Sequence, residues 1–280
     1  MDKIIFFNMN QLGDLLFCLP VIKAAKQQYP NVKIYSVTRK NLAELLRQTL
    51  LVDKIFIKEK GLKSKIKKRY GFKSASLNFL LTDKAEKKGV PSLVNNINLA
   101  KKIGIKNIQN NYLDIIKTDS KTDDKINNIL KQYNIENKKF IAVSIGASKR
   151  RQEKCLKAEV WIETINELTG KNIPVIVTGA VWEKEYIKNI TDKCLKKINV
   201  FCPEGGLVEL SGLLKKASLF IGVDSGAMHL AASLGIKCIA LYGNTDPSQI
   251  GPQPLENHII IKKDSAKQIT ADDILNKIEF

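Results

Sequence analysis

The chain has 280 residues, 44% of them hydrophobic and 26% charged, with a formal net charge of +18. That length is large for one ordinary core and suits two domains or one large α/β unit, and the composition excludes collagen-like, coiled-coil and disordered chains. No apolar run reaches the ~18–20 residues of a membrane helix, and the opening MDKIIFFNMN lacks the long apolar region and cleavage site of a secretory signal.

From the N-terminus, short β-branched runs alternate with helical spacing. KIIFF at 3–7 reads as a strand, 14–28 as a helix, VKIYSV at 32–37 as a strand and 41–48 as a helix. KIFI at 54–57 and SLNFLL at 76–81 are further strands. The alternation weakens between 104 and 138, which is polar and rich in Asn, Lys and Asp, with one helical stretch at 123–133. The domain junction is therefore expected at 138/139, dividing the chain into 1–138 and 139–280. Beyond it, FIAVSI (140–145), IPVIVT (173–178), SLFIGV (218–223), KCIALY (237–242) and HIII (258–261) read as strands. Helical patterns at 157–169, 182–196, 207–216 and 226–234 separate most of them. Strand, helix, strand at this spacing predicts parallel βαβ units with right-handed crossovers. A last helix at 270–280 follows Thr270 as N-cap and is expected to pack back on the N-terminal domain. Two such domains facing each other would place a ligand cleft between them, at the carboxyl ends of both sheets.

The charge, 46 basic against 28 acidic residues, is almost entirely lysine. It fits the codon usage of an AT-rich genome, and it fits equally a polyanionic partner: nucleic acid, an anionic membrane face or a phosphorylated substrate. The five cysteines are scattered without a CxxC pair and there are only two histidines, which argues against a disulfide framework or a His- or Cys-based metal centre. A reduced, cytoplasmic protein is expected.

Two segments carry chemistry. NMNQLGDLLFCLP at 8–20 follows the first strand and turns at Gly13 into a helix that opens with Asp14. Free amides at such a helix start suit an anion, although Asp there is also a plain first-turn residue favoured by the helix dipole. It is not a GxGxxG fingerprint. In FIGVDSGAMHLAASLG at 220–235, a strand ends at Asp224, and Ser225, Gly226 and Ala227 turn into a helix with His229 in its first turn. Amides, a hydroxyl and an imidazole then converge on one helix N-terminus, a geometry suited to a pyrophosphate. ALYGNTDPSQIGP at 240–252 adds a second Gly-containing turn that closes over the same place.

The block D-S-G-x-x-H-L-A-A-S-L-G from Asp224, the block G-N-T-D-P-x-x-x-G-P from Gly243 and the block L-G-D-x-x-x-x-x-P from Leu12 together resemble glycosyltransferase family 9, the ADP-heptose:lipopolysaccharide heptosyltransferases. Residues 58–138 carry little of the resemblance. It implies an α/β GT-B fold, two Rossmann-like domains across an interdomain cleft, with the nucleotide-sugar donor bound mainly by the C-terminal domain and the acceptor by the N-terminal one. It also implies an inverting reaction that needs no metal and no cofactor beyond the co-substrate ADP-heptose, and the sequence has no D-x-D motif to hold a divalent ion.

Carried over residue by residue, Asp14 matches the proposed general base, Ser225, Gly226 and His229 match the donor-diphosphate positions, and Asp224, which opens the same block, is counted with the donor-binding residues. Lys154 and the upstream hydroxyl residue Ser148 match groups that contact donor phosphates. Glu159 and Trp161 also match, while Leu156 and Lys157 stand where the family usually has Trp-Pro. Glu183 aligns with the ribose-binding Glu, and Gly205 lies in the loop that lines the nucleobase. On the acceptor side the resemblance points to Gly13. The run at 58–73 has eight Lys/Arg in sixteen residues, among them Lys63, Lys65, Lys67, Lys68 and Arg69. It reads either as a solvated face or as a patch for anionic inner-core sugars and the anionic inner-membrane surface. No nucleic-acid module accompanies it. The expected partners are the nucleotide sugar and an anionic lipopolysaccharide acceptor, with peripheral membrane contact and a monomeric chain. The alternatives are another donor, a capsule or protein acceptor, or a non-catalytic GT-B subunit.

Overall fold

The computed structural model describes residues 2–8, 11–57, 70–73, 81–89, 91–148 and 151–278. They form two compact units, Met1–Ile115 with Ser248–Ile250, and Ile116–Pro247 with Gly251–Phe280.

In the first unit β1 (Lys3–Asn8), β2 (Lys33–Thr38) and β3 (Lys54–Ile57) form a parallel sheet in the order β1-β2-β3, with Lys3 opposite Lys33 and Tyr35 opposite Lys54. The helix expected over 14–28 is two helices, α1 (Leu12–Leu16) and α2 (Leu19–Gln28). Pro20 explains the break: it has no N–H for a bond to the carbonyl four residues back, and its ring clashes with that carbonyl. The carbonyl of Phe17, at the break, accepts from Asn96 Nδ2 at 3.1 Å. α3 (Lys40–Gln48) links β2 to β3, and β4 (Tyr70–Phe72) pairs in parallel with β5 (Asp83–Ala85). α4 (Ser92–Lys102), which the sequence reading passed over, buries Leu93, Ile97 and Ala100 on one face. The expected strand at 76–81 lies almost wholly outside the described residues.

The second unit holds α5 (Ser120–Gln132), β6 (Ile141–Ser144), α6 (Ala158–Gly170), β7 (Val175–Thr178), α7 (Lys184–Thr191), β8 (Asn199–Phe201) and α8 (Gly206–Lys216). β9 (Leu219–Val223), α9 (Gly226–Ser233), β10 (Cys238–Tyr242), β11 (Ile259–Lys262) and α11 (Ala271–Leu275) follow; of the single turn α10 (Pro247–Ile250), between β10 and β11, only Pro247 belongs to this unit. Six parallel strands run in the order β8-β7-β6-β9-β10-β11. Numbered within the unit this is 3-2-1-4-5-6, the doubly wound order of dinucleotide-binding sheets. β6, β7 and β10 are buried along their whole length. That agrees with helices covering both faces and with their unbroken apolar sequences.

Two boundaries differ from expectation. Residues 116–138 belong with the second unit, because α5 buries Thr122, Ile126 and Leu130 and packs on α8, so the junction falls at 115/116. The helix after Thr270 packs on α6 of its own unit, where Ala271 and Ile274 join the core around the fully buried Trp161. Thr270 does cap it, accepting from the Asp273 amide at 3.2 Å.

The α5–α8 contact passes through Gly212, where a Cβ would lie 2.8 Å from Thr122 Cγ2 and 3.0 Å from Ile126 Cγ1. Overpacking there predicts that Gly212→Val lowers stability by about 1–3 kcal/mol. Gly212→Ala is expected to be milder, since Ala gains about 1 kcal/mol of helix propensity over Gly. Urea unfolding of the two variants measures this, and an unchanged Val variant would mean that α5 does not rest on α8.

Candidate functional site

In a doubly wound sheet the loops leaving the two central strands diverge, one crossing to each face, and leave a crevice at their carboxyl ends. Here those strands are β6 and β9, with Ser144 opposite Gly222. The loop after β6 runs through Gly146, Ala147 and Ser148 to a 3₁₀ turn at Gln152–Lys154, and the loop after β9 is Asp224–Ser225. The crevice is closed by one ion pair. Lys154 Nζ donates to Asp224 Oδ2 at 2.5 Å and to the Asp224 carbonyl at 3.3 Å, and both side chains are largely buried, 12% and 6% exposed. Thr245, from the loop after β10, donates its hydroxyl to the same Oδ2 at 2.8 Å.

α9 starts at this point. Ser225 is extended (φ −143°, ψ 168°) and its Oγ accepts from the Met228 amide at 3.5 Å. The cap takes the third amide and leaves those of Gly226 and Ala227, which an α-helix cannot satisfy internally. The Ser225 hydroxyl still has its proton to donate. His229, on the first turn, is 5% exposed. Burial pushes its pKa down to about 4; the charge of Asp224 opposes this, while Lys154 and His258 add to it. The imidazole is therefore neutral near pH 7.

Glu183 follows β7, at the same edge of the sheet. It is buried, its Oε2 accepts from the Ala180 amide at 2.7 Å, and burial holds its pKa above the usual carboxylate range against that hydrogen bond. Its other oxygen presses on Gly146, where a Cβ would stand 1.9 Å from Oε1. The glycine in SIGAS is thus the seat of Glu183, a coupling that sequence spacing does not reveal. Cys155 and Cys202 flank this carboxylate, and burial, with the Glu183 charge contributing, raises both thiols.

The remaining candidates fall in different places. Ser148 is exposed, and its carbonyl accepts from the Arg151 amide at 2.8 Å. Gly205 caps α8 after β8, and its amide donates to Glu209 Oε2 at 3.2 Å, so helix initiation accounts for its position. Trp161 is core and Glu159 is exposed. Gly13 and Asp14 lie in α1 of the first unit, where Asp14 is exposed and its Oδ2 accepts from the Gln11 amide at 3.1 Å. Burial and the nearby Asp14 charge push the Cys18 thiol up to about 12. Lys63, Lys65, Lys67, Lys68 and Arg69 lie outside the described residues. Thr245 had no role in the sequence reading, although it stands inside the G-N-T-D-P block. Among the described residues no group of three or more His, Cys, Asp or Glu is arranged to hold a metal ion. No helix among them is long and apolar enough to cross a membrane.

The two histidines set a pH dependence. His229 and His258 both titrate at about 4, below the ordinary 6.5, chiefly because of burial. The unfolded chain takes up these protons near 6.5 and the folded chain only near 4, so stability is lost as pH falls through that window. For His229 the loss is on the order of 3 kcal/mol. Urea unfolding between pH 7 and 4.5 should show this slope, and His229→Gln should remove part of it. An unchanged slope in the variant would mean that the imidazole is solvated.

Comparison with known proteins adds the following. The model of glycosyltransferase family 9 (heptosyltransferase) matches residues 61–278, a span that begins after Asp14 and takes in the stretch where the motifs are weak. Lipopolysaccharide heptosyltransferase 1 of Campylobacter coli is 29% identical over 166 residues, 56% of this chain and 47% of that protein. The chain spans less than half the length of the curated relatives it matches. ADP-heptose lipopolysaccharide heptosyltransferase II of E. coli superposes with a TM-score of 0.80 at 18% identity, over 99% of this chain and 97% of that one. An E. coli heptosyltransferase solved with ADP gives 0.74 at 19% identity, over 98% of each. These likenesses bear out the expected GT-B fold class. With the family model covering well over half of its residues, the chain belongs to glycosyltransferase family 9.

Proposed function

We propose that this chain transfers heptose from ADP-heptose to a saccharide acceptor of the lipopolysaccharide inner core, with inversion and without a metal ion. The observation that carries the reading is the meeting of Lys154 with the Ser225-capped start of α9 at the sheet's switch point. An ammonium has three protons; Asp224 takes two of them here, and the third is left for a diphosphate oxygen. The amides of Gly226 and Ala227 and the Ser225 hydroxyl supply further donors at the positive end of the helix. Together they would neutralise a departing diphosphate by preorganised dipoles and one cation. His229, being neutral, offers hydrogen bonding rather than charge. ADP as the nucleotide is supported by the ADP bound in the superposed heptosyltransferase.

The other roles follow the family resemblance. Glu183 would accept from the ribose hydroxyls, the Ser148 hydroxyl would meet a phosphate, and Gly205 would line the base. Asp14 would take the proton of the acceptor hydroxyl as its oxygen bonds the anomeric carbon, while the bond to the diphosphate breaks on the opposite face and the configuration inverts. Gly13, with Lys63, Lys65, Lys67, Lys68 and Arg69, would receive the anionic acceptor. The net charge of +18 would hold a monomeric, cytoplasmic enzyme at the anionic inner-membrane surface.

Incubation with ADP-heptose and a Kdo–lipid A acceptor should release ADP, and a chelator should leave the rate unchanged. Asp14→Ala should lower kcat by about 10²–10⁴-fold, the range of a lost general base, while ADP still raises the melting temperature by mass action. Gly146→Ala, which displaces Glu183, should raise the KM for ADP-heptose by about tenfold, the equivalent of about 1.4 kcal/mol. The reading falls if another nucleotide stabilises the protein more than ADP, if Asp14→Ala is fully active, or if chelation stops turnover.

A further inference from the structure

Asp224 poses a difficulty for a diphosphate site. Its carboxylate precedes the N-cap of α9, so an anion sits next to the place proposed for another anion. Lys154 offsets that charge, but a lysine is a flexible four-carbon stem carrying a point charge, and by itself it orients a partner poorly. The second donor on Oδ2 is of a different kind. Threonine is β-branched and stiff at χ1, so its hydroxyl is a fixed point. The loop that carries Thr245 is itself anchored: the carbonyl of Gly243 accepts from Lys262 Nζ at 2.5 Å. Gly243 lies so close to the chain at Ala266 that a Cβ would stand 2.4 Å from the Ala266 amide nitrogen.

We propose that Thr245 is a positioning residue for the donor diphosphate: it fixes the Asp224 carboxylate from the β10 side, and that carboxylate fixes the Lys154 ammonium. Three loops, after β6, β9 and β10, then meet at a single oxygen, Oδ2 of Asp224. Thr245 does not itself touch the diphosphate. It removes the rotational freedom that would let Asp224 swing and carry the cation with it. The proposal rests on the reading of the switch point as the donor-diphosphate site.

The test uses Thr245→Val, which keeps the shape and removes the hydroxyl, and Thr245→Ser, which keeps the hydroxyl, each in the wild-type and Asp224→Asn backgrounds. The measurements are kcat/KM for ADP-heptose, the melting temperature alone and its rise with ADP. Thr245→Val should lower kcat/KM by about tenfold and shrink the rise with ADP, with the melting temperature alone nearly unchanged. Thr245→Ser should stay within about threefold of wild type. In the Asp224→Asn background Thr245→Val should change kcat/KM by less than about twofold, the non-additivity expected of residues acting as one unit. An unchanged Thr245→Val, an equal loss in the Ser and Val variants, or additive effects with Asp224→Asn each overturn the proposal while the wild type remains active. If the wild type neither turns over ADP-heptose nor is stabilised by ADP, the donor-site reading falls and this proposal falls with it.

Discussion

Two buried charges must find each other or be neutralised, because an unpaired ion in a protein interior costs several kcal/mol. In the second unit that constraint falls on Lys154 and Asp224, 70 residues apart in the chain and 2.5 Å apart in space. The strand order makes the pairing geometrically available. Reversal between β6 and β9 turns their loops to opposite faces of the sheet and opens a notch that only side chains can close. The pair closes it at the tip of α9, so a structural requirement also concentrates hydrogen-bond donors at one point.

Around that pair, burial decides which groups carry charge. His229 lies deep enough to be neutral, despite the carboxylate near it. Glu183 is held above the usual carboxylate range, and a single amide, that of Ala180, works against that shift. Lys154 is therefore a charged donor beside the helix tip, and His229 on the first turn is a neutral group. Small residues set the spacing: Gly146 admits Glu183, and Gly243 admits the chain at Ala266.

Much of this was legible in the sequence where a signal was local. The strands at 140–145, 173–178, 218–223 and 237–242 stand out because strands buried on both faces read as continuous apolar runs. Thr270 is readable as a cap because capping involves residues three apart. What was illegible depended on distant partners. The helical period at 123–133 shows that a helix is there but not that it rests on Gly212 of α8, and the last helix does not announce which core its Ala271 and Ile274 will join. The apolar period runs unbroken across the break at Pro20, whose missing N–H is the local signal for it.

The sequence by itself determined the parallel α/β class, the family blocks and the residue types gathered at the start of α9, because these depend on spacing within one element or one turn. Only the tertiary structure decided that Lys154 and Thr245 meet at one oxygen of Asp224, that Gly146 leaves room for the Glu183 carboxylate, and that α5 belongs with the second unit. Such contacts join loops from separate crossovers, and their geometry follows from strand order and burial, which no local pattern encodes.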